Sequence, residues 1–253
     1  MAIAPYVRSR ARCERRQPSA PSTPGGRGLV NGATLLRKRV NFFSHAAVAR
    51  RFSEEPEFLL GAMLPDFASM LGARLGAIFH PALERGVGFH HLTDHAFHEL
   101  SAFQTETRAA LSDLRARGLA KGPARAVAHV GVEMLLDVSL GQSAPAQSAY
   151  LSALRAGLRP GLVASIAWSE KDRERLEDLL ETLERRGVVL DTSTPMLVER
   201  IKRTLARRPR LALGAEDPPR VLDWVEAARA RVVGSAPALV TALHAELERR
   251  LAP

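Results

Sequence analysis

Seven of the eight histidines in this 253-residue chain fall between His45 and His129, and their spacing is more telling than their number. His90, Asp94 and His98 stand at i, i+4 and i+8. In a helix each step of four drifts by only about 40°, so the three side chains share one stripe. His129, Glu133 and Asp137 repeat the arrangement further on. Imidazoles and carboxylates gathered in a helical core are costly unless they pair or coordinate a cation. A divalent metal resolves that cost, because it takes neutral imidazole and ionised carboxylate converging from separate elements. With His45 and Asp66 added, the expected metal set is His45, Asp66, His90, Asp94, His98, His129, Glu133 and Asp137. The competing reading leaves a stripe in solvent, or pairs these groups as ordinary hydrogen bonds.

The other histidines sort differently. His91 and His95 are also four apart but lie about 100° round the helix from His90 and Asp94, which suits a supporting or substrate-facing pair. His80 precedes Pro81 in a loop, and His244 sits in an amphipathic C-terminal segment. Other chemistry has little to work with. The chain has no Gly-x-Ser-x-Gly elbow, no phosphate-cradling glycine loop ending in Lys-Ser/Thr, and no Gly-x-Gly-x-x-Gly opening a helix. Its one cysteine, Cys13, stands among arginines and prolines near the N-terminus, which rules out an intramolecular disulfide.

The segments that must position the stripes read as helices. Apolar content is 46%, aromatics only 5%, and Leu, Ala and Val carry most of the rest. The expected fold is all-α, an irregular helical bundle. Residues 41–52 predict a short helix, and Pro56 opens another that Pro65 should end near Leu64. A long helix is expected from about Gly88 to Arg117, and the next over 124–140 before Gly141. Ser169 with Asp172 forms a capping box for a helix to Arg186. Thr194-Pro195 begins a helix ending near Arg208-Pro209. Pro218-Pro219 precede a segment to Gly234, and Pro237 opens a last helix to about Leu251. Val188–Leu190 is the one candidate strand fragment.

The net charge of +9 is localised. Residues 1–39 hold nine basic side chains against Glu14, whereas the other 214 residues hold 27 basic and 26 acidic ones. The 1–39 segment, rich in arginine and proline, is expected to be a disordered tail, with a nucleic-acid-binding arm as the alternative. Residues 40–253 are expected to form a single helical domain. No run of 18 apolar residues suggests a membrane span, and no apolar core of a secretory signal follows the first arginines, so a cytoplasmic protein is expected.

Several of these motifs resemble one family. Asn41-Phe42-x-x-His45, Gly61-x-x-x-x-Asp66-Phe67 and His90-x-x-x-Asp94 are similar to motifs of the acyl carrier protein phosphodiesterases, helical relatives of the HD-type metal phosphohydrolases. The likeness continues through Glu133-x-x-x-Asp137 to Arg207-Arg208-Pro209-Arg210-Leu211, and spans about residues 40–245 in order. Family chains begin with Met-Asn-Phe where Val40-Asn41-Phe42 stands here, so residues 1–39 are expected to be upstream sequence read from a misplaced start.

The resemblance implies an HD-domain-like fold and hydrolysis of the phosphodiester joining 4′-phosphopantetheine to a serine of acyl carrier protein. It implies a divalent cofactor, Mn²⁺ foremost, with Mg²⁺, Zn²⁺ or Fe as alternatives. By position His45, Asp66 and Asp94 become the catalytic residues, with His90 a metal ligand and Asp137 in support. Arg207, Arg208 and Arg210 offer a basic surface to an acidic carrier protein. The chain departs from the family pattern at His91-Leu92, His98, Glu133 and Val138, and nitrogen ligands in place of oxygen favour Zn²⁺ or Fe. Two other expectations stand beside this one: an HD-like phosphohydrolase of another small phosphoester, and a non-catalytic helical metal-binding scaffold.

Overall fold

The computed structural model describes residues 42–188, 192–206 and 208–252. The basic tail with Cys13, Val40-Asn41, Arg207 and most of the Val188–Leu190 fragment lie outside the described residues. Those described belong to one compact unit built from nine α-helices. They are α1 (Phe42–Ala49), α2 (Pro56–Leu71), α3 (Pro81–Glu99), α4 (Ser101–Ala116), α5 (Lys121–Leu140), α6 (Ala144–Gly157), α7 (Glu170–Arg186), α8 (Thr194–Leu205) and α9 (Asp217–Leu251). A 3₁₀ turn, Val163–Ser165, and one isolated bridge between Ile78 and Ile166 complete the pattern. The protein is all-α, and among the described residues no helix is long and apolar enough to cross a membrane.

The start signals behave as their chemistry predicts. Pro occupies the first turn of α2, α3, α6, α8 and α9, where its missing N–H costs nothing. Ser169 Oγ accepts the Asp172 amide at 3.2 Å and caps α7. The stop signals are weaker. Helix α2 runs through Pro65 to Leu71, and Gly72 then closes it with a φ of 67°. Helix α9 runs through both Gly234 and Pro237 without a break. In each case residues on both sides of the proline are buried, so the packed face outweighs one lost backbone hydrogen bond. The long helix expected over 88–117 is instead α3 and α4, parted at Leu100, whose ψ of 125° is extended. Helix α6, capped by Ser143, is an element the sequence reading did not single out.

Two hydrophobic clusters account for these breaks. The first gathers the buried faces of α1, α2, α6 and α7, with Leu83 and Phe89 of α3 and Leu243 and Leu247 of α9. The second gathers Phe103 and Leu114 of α4, the apolar face of α5, α8 and the first part of α9. Phe97 and Leu100 pack against both. The chain therefore turns at Leu100 to pass from one cluster to the other, and α9 makes the same passage between Leu239 and Leu243.

One close approach sets the geometry of the site. A Cβ on Gly61 of α2 would stand 2.3 Å from the Leu83 carbonyl, and one on Gly86 of α3 would stand 2.2 Å from the Phe58 carbonyl. Glycine at both positions lets the two backbones touch. One turn beyond that contact, the His90 ring meets the Ala62 carbonyl.

Candidate metal centre

His45, Asp66 and His90 are all buried, come from α1, α2 and α3, and offer ligand atoms within 4.8 Å of one another. His45 Nε2 stands 3.8 Å from Asp66 Oδ2, and the His45 and His90 ring centroids are 3.9 Å apart. His90 Nδ1 donates to the Ala62 carbonyl at 2.8 Å, which fixes the tautomer and leaves Nε2 as the ligand nitrogen. Burial, aided by the neighbouring histidines 90, 91 and 98, pushes the His45 imidazole well below its ordinary pKa. It is held neutral, the form that binds a cation.

A cavity of about 50 Å³ adjoins this triad. Ser44, His45, Thr93, Asp94, Glu133 and Asp137 give it polar groups, and Leu239, Val240 and Leu243 of α9 form an apolar wall. Asp137 is 3% exposed. The Ser44 hydroxyl donates to its Oδ1, while Oδ2 is buried with no hydrogen-bond partner among the described residues. The same is true of His45 Nδ1 and Thr93 Oγ1. Burial pushes the Asp137 carboxyl well above the usual carboxylate range, with Ser44 pulling against it. Buried polar atoms without partners are expensive. A cation among them would offset that cost, so the residues present fit a divalent ion.

The remaining expected ligands form a second group. His98 Nε2 lies 3.3 Å from His129 Nε2 and 3.2 Å from Glu133 Oε1, and His129 Nε2 lies 3.2 Å from the same oxygen. The eight residues thus do not converge on one point, as the sequence reading expected. His90 and His98 do share a stripe, but eight residues separate them by about 12 Å along α3. One ion cannot span that distance, and Asp94 lines the cavity between the two groups. Helices α3 and α5 face each other across this gap through side chains, and α1 bridges them by touching both.

The expected substrate contacts are dispersed. His91 is exposed beside the triad, its ring edge-on to His90 at 5.4 Å. His95 points to solvent, pairs with Glu99 at 3.3 Å and does not line the cavity. The Arg210 carbonyl lies against Gly122 at the head of α5. That places its backbone about 10 Å along the helix from His129 and about 22 Å from Asp137. Arg207 lies outside the described residues. His244 packs edge-on to Phe52 and takes no part in either group. Sequence reasoning missed Ser44 and Thr93. Each is adjacent in sequence to an expected ligand, the one signal that would have found them.

No protein-family profile, no curated protein and no solved structure matches the chain.

Proposed function

We propose that this chain is a metal-dependent phosphodiester hydrolase of the acyl carrier protein phosphodiesterase type, acting on the phosphopantetheine–serine linkage. The observation that carries the reading is the buried His45–Asp66–His90 triad, drawn from three helices and joined to a cavity lined by Asp94 and Asp137. These are the positions at which the chain resembles that family. An ion held by the triad, Mn²⁺ first among the candidates, would supply Lewis acidity at a phosphoryl oxygen and a water of lowered pKa.

The chain's own residues divide the remaining work. His90 is locked in its ligand tautomer by the Ala62 carbonyl. Burial raises the Asp137 carboxyl well above the usual carboxylate range, and a nearby positive charge would favour its ionised form. Asp94, half-buried on the cavity wall, is placed to orient a water or accept its proton. Leu239, Val240 and Leu243 give the cavity an apolar wall beside these groups.

A second reading, a structural ion in a non-catalytic helical protein, draws on the cavity size. About 50 Å³ holds only a few waters, a size that suits an ion. Release of phosphopantetheine from holo-acyl carrier protein by the metal-loaded full chain, beside a panel of cyclic and linear phosphodiesters, separates the readings. Metal-dependent release is the expected result, and His90→Ala should lower its rate by more than about 100-fold with the helical signal retained. Turnover of the panel alone would mean another phosphoester is the substrate. Tight metal binding with no turnover anywhere would favour the structural ion.

A further inference from the structure

We propose that His98, His129 and Glu133 form a second, separate metal site, a solvent-facing one that takes Zn²⁺. The three ligand atoms make a nearly equilateral triangle with edges of 3.2 to 3.3 Å. Zinc binds histidine nitrogen and carboxylate oxygen at about 2.0–2.2 Å in tetrahedral geometry, which puts neighbouring ligand atoms about 3.3 Å apart. The triangle therefore has the edge lengths of one face of a zinc tetrahedron. An octahedral Mg²⁺ at about 2.1 Å needs edges nearer 3 Å and oxygen ligands, and two of these three are nitrogen.

The surroundings support the same ligand. His98 Nδ1 donates to the Asp94 carbonyl at 2.7 Å, so Nε2 carries the lone pair aimed at the triangle. His129 and Glu133 are one helical turn apart on α5, and the two imidazoles lie parallel, with ring centroids 4.9 Å apart. Phe103 meets both rings edge-on and limits their rotation. The side chains of His98 and His129 are 34% and 43% exposed, so the fourth coordination position opens to solvent. Three protein ligands and one open position is the pattern of a zinc site that binds water or an exchangeable ligand. The buried triad lies two turns away along α3 and shares no ligand with this site.

The test strips the full-length chain of metal and titrates it with Co²⁺, whose visible absorption is far stronger in four-coordinate than in six-coordinate sites. Zn²⁺ then competes it out. Wild type, His45→Ala and Asp66→Asn should all develop the strong absorption with one equivalent, bleached by Zn²⁺. In His129→Ala and Glu133→Gln it should be lost, with Zn²⁺ affinity at this site down by more than about 100-fold, since removing even a residue that only supports a ligand costs 10–100-fold. Circular dichroism confirms that each variant keeps its helices, and Glu133→Gln, nearly isosteric, guards against a folding failure in His129→Ala. Absorption absent from the wild type would overturn the inference. So would absorption lost in His45→Ala and Asp66→Asn but kept in His129→Ala, and that second outcome would leave the proposed hydrolytic triad standing.

Discussion

His45 is a base that the fold refuses to let charge. Its pKa lies well below the ordinary value because burial and three nearby histidines penalise the imidazolium. The sign follows from linkage: the unfolded chain takes up a proton near pH 6.5 and the folded chain does not, so lowering the pH through that range favours unfolding. Metal-free wild type should therefore lose stability relative to His45→Gln by up to about 1.4 kcal/mol per pH unit below 6.5. Denaturant melts of both proteins between pH 7.5 and 5.5 check this, and parallel curves would contradict it. At this scale the sequence was informative about which residues matter. The four-residue spacing correctly places His90 and His98, and likewise His129 and Asp137, on single stripes. It is silent on depth. His90 is 6% exposed, whereas the His98 side chain is 34% exposed. That difference depends on where α3 crosses α2 and where it leaves the first cluster. A stripe also has length, and about 12 Å between its ends is what turned one expected ion into two groups.

At the scale of elements, the α2–α3 crossing positions the buried triad. Gly61 and Gly86 bring the backbones into contact, the Ala62 carbonyl then orients His90, and Asp66 follows one turn later on α2. Gly86→Ala would place a methyl 2.2 Å from the Phe58 carbonyl, so the helices must part. The expected cost is about 1–3 kcal/mol of stability despite alanine's better helix propensity, together with weaker metal binding. Denaturant melts and metal titration of the variant measure both, and unchanged values would show that the crossing tolerates expansion. Local signals found the helix starts because proline and serine caps act within one turn. They misjudged the ends at Pro65, Leu100 and Pro237. Whether a proline breaks a helix, or an unremarkable leucine does, was decided by which hydrophobic cluster the flanking residues join.

For the whole molecule, the site occupies the seam between two hydrophobic clusters. His45, Asp66 and His90 come from helices of the first, Glu133 and Asp137 from a helix of the second, and α9 passes between them beside the cavity. An ion that binds only the folded arrangement stabilises it by about 2.7 kcal/mol at a hundredfold excess over its dissociation constant. For a protein of this size that corresponds to roughly 5–10 °C in melting temperature. Calorimetry of metal-loaded protein with and without a chelator should show a fall of that order, and an unchanged melting temperature would mean that no ion stabilises the folded arrangement.

Anomalous diffraction from crystals soaked in Mn²⁺ bears most directly on the central claim. A peak is expected about 2.0–2.3 Å from His45, Asp66 and His90, facing the cavity between Asp94 and Asp137. A map with no density there, from crystals in which the three side chains hold the positions described, would contradict the account.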